Sequence, residues 1–315
     1  MNLRELLDGV ACEVVQGRPD VEVKMIHFDS RKVGEGDLFV AQRGVSADGH
    51  GYIGKAVAAG AVAVVCEEVP GELKEGVVYV KTGNSSEALG VMSSNFYGNP
   101  SRRMKVVGVT GTNGKTTTAT LLYELVCLLG RKAGLLSTVC NYIGDERVHA
   151  THTTPDAMEI NELMGRMVDA GCEYCFMEVS SHALDLRRTW DTDFAVTAFT
   201  NLTQDHLDYH HTFDDYFEAK ALLFSKDYPA RRVISIDGSW GRELLRRCTA
   251  AGDEVITTGF DVSAQIHPVE VTYEAARTKA VLEVRGTRIA VEYPLVGRFN
   301  VENVMTAFGC ALALG

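Results

Sequence analysis

The sequence predicts an α/β protein: a small amino-terminal α/β domain over residues 1–100, then a doubly wound, mostly parallel domain over 101–315 with an added antiparallel ribbon. Three observations lead there. From Lys105 to Ala251, short apolar runs alternate with helical stretches, the rhythm of a parallel sheet covered on both faces. Residues 265–293 then alternate apolar and polar positions without room for helices, as in Lys279-Ala-Val-Leu-Glu-Val284 and Arg288-Ile-Ala-Val-Glu-Tyr293 around the turn Arg285-Gly-Thr287. Finally, Gly98-Asn-Pro-Ser101 breaks the chain where the first set of elements ends.

In the first domain, Val21-Glu-Val-Lys-Met-Ile-His-Phe28 alternates as a strand does, and Asp37-Leu-Phe-Val-Ala41 reads as a short buried one. Asp29-Ser-Arg31 lies between them, polar side chains delivered at a strand end. A glycine-rich loop from Gly44 to Gly54 contains Asp48-Gly-His50; helix 55–59 and strands 61–66 and 77–80 follow. Asn84-Ser-Ser-Glu87 has the form of a capping box opening a helix to Tyr97. In the second domain the pattern predicts strands near 105–110, 132–137, 174–179, 194–200 and 231–236. It places helices near 115–129, 156–169, 212–224 and 239–251, with a last one from about Asn300.

The net charge of −11 opposes binding to nucleic acid, whose phosphates it would repel. No apolar run approaches the roughly 20 residues that span a bilayer, and the start, Met-Asn-Leu-Arg-Glu-Leu-Leu, lacks a signal-peptide layout. A cytoplasmic location away from membranes is the expectation. Of eight cysteines only Cys172-Glu-Tyr-Cys175 has motif spacing, and no second pair completes a zinc site, so packing with reduced thiols is expected.

The chain is organised around Val106-Val-Gly-Val-Thr-Gly-Thr-Asn-Gly-Lys-Thr-Thr117. Strand, glycine turn and helix start are the parts of a phosphate-binding loop: backbone N–H groups turn inward and the helix N-terminus adds partial positive charge. Lys115 would reach the outer phosphates and Thr116 would offer its hydroxyl to Mg²⁺. The spacing departs from the common G-x-x-x-x-G-K-[ST] pattern, since Val109 is five residues before Gly114 and Gly108 comes one place too early.

Three further polar stretches end strands of the second domain and should converge on this loop. Thr151-His-Thr-Thr-Pro155 suits an anion, or equally a helix N-cap. In Phe176-Met-Glu-Val-Ser-Ser-His182, Glu178 is costly to bury unless paired or metal-bound, which leaves Mg²⁺ or a salt bridge. Thr200-Asn-Leu-Thr-Gln-Asp-His-Leu-Asp-Tyr-His210 offers His206 as a metal ligand and Asp205 as a metal ligand, nucleotide contact or cap. Lys220 has Tyr216, Phe217, Leu223 and Phe224 at helical spacing; taken alone, it is expected to snorkel to water rather than to serve chemistry.

Together these stretches resemble the Mur ligase family, ATP-dependent amide-forming enzymes of peptidoglycan assembly, over essentially the whole chain. Thr110-Gly-Thr-Asn-Gly-Lys-Thr116 matches the family's phosphate loop, unusual spacing included. Asp29-Ser-Arg31, Thr153-Thr-Pro155, Glu178-Val-Ser-Ser-His-Ala-Leu184 and Asn201-Leu-Thr-x-Asp-His-Leu-Asp-Tyr-His210 point to the branch that adds a third residue to UDP-N-acetylmuramoyl-L-alanyl-D-glutamate.

The resemblance implies a UDP-substrate-binding first domain and an ATP-binding second domain, with roles for particular residues. Ser30 and Asp48, Gly49 and His50 would hold the uridine end; Thr153, Thr154, Ser180 and Arg188 the muramoyl-dipeptide, with His152 beside them. Gly111, Thr112, Asn113, Gly114, Lys115, Thr116 and Thr117 would bind the nucleotide, and Asn300 and Asn303 would approach its adenine. Thr116, Glu178 and His206 would organise Mg²⁺, and Lys220 matches a lysine that carries a CO₂-derived carbamate. Leu186 falls where some relatives have a polar contact, and no role carries over to it. The implied partners are ATP, Mg²⁺, the UDP-dipeptide and a diamino acid, meso-diaminopimelate as the commoner choice in the family with L-lysine as the alternative; a monomer is expected. The family's third, amino-acid-selecting domain is not among these residues, so the resemblance implies a fragment with impaired turnover. A folylpolyglutamate-synthase-like ligase and a non-catalytic nucleotide-binding module are the alternatives.

Overall fold

A computed structural model describes residues 1–44, 47–205 and 207–315, apart from the side chains of Leu207 and Asp208. The chain forms two compact units. The first comprises Met1–Pro100 with Asp156–Gly165 and Leu186–Thr192; the second comprises Ser101–Pro155, Arg166–Asp185 and Asp193–Gly315.

The first unit runs α1 (Leu3–Leu6), β1 (Cys12–Gln16), β2 (Ile26–His27), β3 (Leu38–Val40), α2 (Ile53–Ala58), β4 (Ala63–Cys66), β5 (Val78–Thr82) and α3 (Ser85–Phe96). Among the described residues its sheet has the order β1-β5-β4-β3-β2, parallel except for the β1–β5 pair. Strand alternation sorts its core. Leu38, Val40, Ala63, Val65, Val78 and Val80 pack with Leu3, Leu6, Leu89 and Met92, whereas Phe39, Val64, Cys66 and Tyr79 pack with Ile53, Ala56 and Val57. Helices α1 and α3 thus cover one face and α2 the other.

One expectation needs correction here, and one strand goes beyond the sequence reading. The 21–28 strand shrinks to Ile26–His27, because residues 21–23 pair instead with the chain start, through a single antiparallel bridge between Asn2 and Glu22 flanked by bonds of Leu3 to Val21 and Val23 to Met1. Strand β1 carries no alternation signal, since it is largely exposed at the sheet edge. The Asn84 cap is as expected, accepting from the N–H groups of Ser86 and Glu87, while the Glu87 carboxylate turns to Arg187 at 3.5 Å.

The second unit opens with β6 (Lys105–Thr110), α4 (Lys115–Leu128), β7 (Ala133–Leu136) and a hairpin of β8 (Asn141–Ile143) and β9 (Glu146–Val148). Next come α5 (Ala157–Asp169), whose start belongs to the first unit, β10 (Tyr174–Glu178), α6 (Ser181–Asp185) and β11 (Phe194–Phe199). After α7 (Leu207–His210) and α8 (Phe213–Ala221) follow β12 (Arg231–Ser235), α9 (Ser239–Ala251) and β13 (Val255–Thr258). The ribbon of β14 (Ile266–Tyr273), β15 (Thr278–Val284) and β16 (Thr287–Tyr293) leads to α10 (Arg298–Leu314).

Among the described residues this sheet has eleven strands in the order β16-β15-β14-β13-β12-β11-β6-β10-β7-β8-β9. From β14 to β7 every pairing is parallel; the ribbon and the β8–β9 hairpin are antiparallel. Val107, Val109, Leu135, Phe176, Val196, Ala198 and Val233 bury one face with Leu122 and Val126 of α4 and Val301 and Met305 of α10. The alternate residues Val106, Cys175, Met177, Phe199 and Ile234 are equally buried, as a sheet covered on both faces requires. The cysteines are free, and those of the Cys172–Cys175 pair are buried, in keeping with a packing role.

Strand β13 and the β8–β9 hairpin go beyond the sequence expectation. Both are only three or four residues long, although Gly144-Asp145 is the two-residue turn that signals such a hairpin. The 212–224 helix is α8 plus a 3₁₀ turn, Leu222–Phe224, capped by the Thr212 side chain. Central β6 lies between β10 and β11, so the loop after it opens where the chain's progress along the sheet reverses.

Candidate functional site

Four adjoining strands, β11, β6, β10 and β7, deliver their carboxyl ends to one place. The β6 end turns sharply at Gly111, whose φ is +149°, and enters α4 from Gly114, whose φ is +87°. Neither position has room for a side chain: a Cβ would sit 1.9 Å from Thr200 Oγ1 at Gly111 and 2.1 Å from Asn303 Oδ1 at Gly114. The loop after β11 braces this turn. Thr112 N–H donates to the Asn201 carbonyl (2.9 Å), Asn113 N–H to Asn201 Oδ1 (3.0 Å) and Thr200 Oγ1 to the Asn113 carbonyl (2.6 Å). Gly114 caps α4 without a side chain, so the first-turn N–H groups face the loop's concavity, the arrangement that receives a phosphate.

Lys115 folds over this turn, donating to the carbonyls of Gly111 and Thr112 at 2.9 Å each. Burial lowers its pKa, with Glu178 and Asp205 acting in the opposite sense. Thr116 points to the end of β10, where its hydroxyl donates to Glu178 Oε2 at 2.9 Å.

Glu178 is 1% exposed. Besides Thr116, it accepts from Thr138 N–H on Oε1 (2.8 Å) and from Thr138 Oγ1 on Oε2 (3.2 Å). Threonines, not the salt bridge weighed from sequence, therefore hold this carboxylate. Thr138 itself is absent from the sequence reading, although Ser137-Thr138 follows β7 as the other polar stretches follow their strands. A hydroxyl and a carboxylate oxygen in contact beside a phosphate loop are hard oxygen donors of the kind Mg²⁺ takes, so these residues fit that ion. Among the described residues no three His, Cys, Asp or Glu side chains are grouped for a metal. His206, the third ligand anticipated, lies outside the described residues.

The Thr153–Pro155 stretch is not the cap of α5; Asp156 takes that place, its Oδ1 accepting from Glu159 N–H at 3.0 Å. Thr153 and Thr154 instead serve the β10 end. Thr153 Oγ1 lies 3.1 Å from Thr138 Oγ1, while Thr154 Oγ1 donates to the Glu178 carbonyl (2.8 Å) and accepts from Ser180 N–H (3.0 Å). Exposed His152 meets Thr151 Oγ1 at 3.1 Å.

Lys220 overturns the snorkelling expectation. It is 1% exposed, and its Nζ donates to the Gly111 carbonyl at 2.9 Å while lying 4.4 Å from the Tyr216 ring centre. The side chain points into the phosphate loop because α8 packs its apolar face there and Gly111 offers a carbonyl. Desolvation, with repulsion from Lys115, holds its pKa well below the ordinary lysine value. Asn303 abuts Gly114 and donates to Asn300 Oδ1 at 3.4 Å; Asn300 donates to the Val296 carbonyl, so the pair frames the helix start.

The first unit holds the remaining anticipated residues. Ser30 is buried between Asp29 and Arg31, whose side chains pair at 2.8 Å. Asp48 Oδ1 accepts from His50 N–H at 2.9 Å and meets His50 Nδ1 at 2.6 Å. Because Glu67 N–H donates to His50 Nε2 at 2.9 Å, the imidazole proton faces Asp48 on Nδ1. Gly49 lies against Gln42, where a Cβ would come within 2.7 Å of a backbone oxygen. Arg188 is half-buried in the 186–192 segment of this unit. A cavity of about 590 Å³ in the same unit, lined by Arg18, Asp20, Leu73 and Glu75 among others, includes none of these residues.

Known proteins share this pattern. The Mur ligase middle domain matches residues 109–311, and the Mur ligase family catalytic domain matches residues 22–97. A UDP-N-acetylmuramoyl-L-alanyl-D-glutamate–2,6-diaminopimelate ligase from Parabacteroides distasonis is 45% identical over 318 residues, and one from Cytophaga hutchinsonii 45% over 317. Each alignment covers 100% of this chain and 64% of the relative, so the chain spans less than two thirds of their length. A solved structure of a ligase of the same name superposes with a TM-score of 0.86 at 26% identity, covering 100% of this chain and 64% of that one. A phosphate loop braced by the β11 loop, a threonine-held carboxylate on β10 and a middle-domain match through both place this chain in the Mur ligase family.

Proposed function

We propose that this chain serves an ATP-dependent ligation that joins a diamino acid, meso-diaminopimelate, to UDP-N-acetylmuramoyl-L-alanyl-D-glutamate in the cytoplasm. One observation carries the reading: Thr116 and Glu178 meet at 2.9 Å beside Lys115, where the ends of β6, β7, β10 and β11 converge. The diaminopimelate-ligase relatives, aligned along the whole chain, support the choice of substrate. In this reading residues 1–100 hold the UDP end through Ser30, Asp48, Gly49 and His50, and residues 101–315 hold ATP.

The D-Glu carboxylate attacks the γ-phosphate, ADP leaves, and the amine displaces phosphate from the acyl phosphate through a tetrahedral intermediate. Positioning and charge neutralisation supply most of the acceleration. In this reading the Gly111–Thr117 loop binds the phosphates, through the N–H groups at the start of α4 rather than those of Thr112 and Asn113, which donate to Asn201, and Lys115 leaves its two carbonyl acceptors to meet the outer ones. Thr153, Thr154, Ser180 and Arg188 orient the dipeptide, with His152 beside them, while Asn300 and Asn303 frame the adenine end. Thr116 and Glu178 would hold Mg²⁺, which when bound spreads the charge of the transferring phosphoryl group. In this reading Lys220 carries a carbamate: a buried amine repelled by Lys115 favours its neutral form, whose nitrogen bonds the carbon of CO₂ and releases a proton.

Calorimetry on the purified chain tests this. It should bind an ATP analogue with Mg²⁺ and, separately, the UDP-dipeptide. Lys115→Ala should weaken the nucleotide roughly ten- to a hundredfold, the worth of a charged contact of ~1.5–3 kcal/mol, and leave the UDP-dipeptide within about threefold. Binding of a folate in place of the UDP-dipeptide, or unchanged nucleotide affinity in Lys115→Ala, would overturn the assignment.

A further inference from the structure

A buried polar chain runs beneath the site. Tyr216 of α8 is 0% exposed, and its hydroxyl oxygen lies 3.2 Å from Thr112 Oγ1 in the phosphate loop. Its ring stacks on His210, with centroids 5.1 Å apart and planes 29° from parallel. His210 is itself buried, and its Nε2 lies 2.8 Å from Ser181 Oγ at the start of α6. The next residue back, Ser180, is tied through its N–H to Thr154 Oγ1. Phosphate loop and β10 turn are thereby joined by side chains through Thr112, Tyr216, His210 and Ser181, besides the sheet that carries both.

The chemistry of this link is directional. A phenol hydroxyl and an imidazole nitrogen bond well only over a narrow range of angle and distance, and water does not compete for them once buried. Lys220 Nζ, 4.4 Å from the centre of the Tyr216 ring, restricts that ring further. A shift of the loop at Thr112 therefore reaches Ser181 through two stacked rings, with little slack between them.

We propose that His210 is a positioning residue which, through Tyr216, sets the phosphate loop in register with the Ser180–Ser181 turn, so that ligands at the two places bind cooperatively. The inference rests on the reading of the loop as a nucleotide site and of the turn as a dipeptide site. His210 touches neither ligand in this scheme; it acts through Ser181 and Tyr216.

The test measures the affinity of a non-hydrolysable ATP analogue with Mg²⁺, by calorimetry, without and with saturating UDP-N-acetylmuramoyl-L-alanyl-D-glutamate. The wild-type chain should bind the nucleotide about tenfold more tightly when the second ligand is present, within the usual range of coupling between sites. Tyr216→Phe keeps the ring and drops one hydroxyl, and Ser181→Ala drops another; each should reduce the tenfold effect to about twofold while each ligand alone binds within about threefold of wild type. His210→Ala should do the same, and His210→Gln, whose amide can still reach Ser181, should recover part of the effect. Circular dichroism establishes that each variant is folded, and should His210→Ala not fold, Tyr216→Phe and Ser181→Ala decide. A wild-type chain that binds both ligands without cooperativity, or folded variants that keep the tenfold effect, would overturn the proposal and leave the ligase reading standing. A wild-type chain that binds neither ligand would overturn both.

Discussion

Asp29 accepts three hydrogen bonds from the Arg31 guanidinium at 2.8–3.2 Å, two of them shared by Nε, and another from the Arg31 N–H, which together hold its carboxyl at about 2, below its ordinary value near 3.8. For a carboxyl lowered on folding, the stabilisation is complete above the ordinary value and is lost as pH falls from there through about 2. The pair is exposed, so its use lies in fixing the turn around Ser30 more than in stability. An NMR titration should therefore find Asp29 near 2, and Arg31→Ala should return it toward 3.8; an unmoved Asp29 would remove the clamp from the account. Lys220 gives a second residue-scale prediction. With ¹³C-labelled bicarbonate, the folded chain should show a protein-bound carbamate resonance that disappears in Lys220→Met. If wild type and variant give the same spectrum, Lys220 remains a plain buried lysine bonded to Gly111.

The strand–loop–helix from β6 to α4 depends on two glycines, and Gly114 offers the sharper test. An alanine there would have to hold a left-handed backbone, at about 1–2 kcal/mol, and would drive its Cβ into Asn303 of α10. Gly114→Ala should lower the denaturation free energy by at least about 1 kcal/mol and weaken nucleotide binding severalfold. Adding Asn303→Ala should recover only the portion due to the clash. Full recovery in the double variant would mean that the backbone conformation matters less than the contact, contrary to the geometry of this loop.

At the scale of the molecule, stability comes from cores that strand alternation divides, and the α4 face of the large sheet is one of them. Leu122 is fully buried in it, whereas Leu128, at the carboxyl end of the same helix, is 86% exposed. Leu122→Ala should cost about 2–5 kcal/mol in urea unfolding, and Leu128→Ala should stay within about 0.5 kcal/mol of wild type. Equal losses at both positions would show that α4 buries a different face from the one seen here. Among the described residues no helix is long and apolar enough to cross a membrane.

The sequence by itself determined the alternating order of strands and helices, the antiparallel ribbon and the glycine turn from β6 into α4, because each is encoded in neighbouring residues: periodicity, glycines, and a Lys-Thr pair at a helix mouth. Short or exposed elements escaped it: β1 is an exposed edge strand whose partner β5 is distant in sequence, and β8, β9 and β13 are too short to show a period. Side-chain destinations were harder still. Thr153 and Thr154 read equally well as a cap until Asp156 was seen to take that role, and Lys220 read as a snorkelling lysine until α8 packed it against the Gly111 carbonyl. Thr138 gave no local signal strong enough to single it out, yet it holds both oxygens of Glu178 from the neighbouring strand end. Only the tertiary structure decided these, because whether a polar group is solvated or bonded depends on which strand ends the sheet order brings side by side.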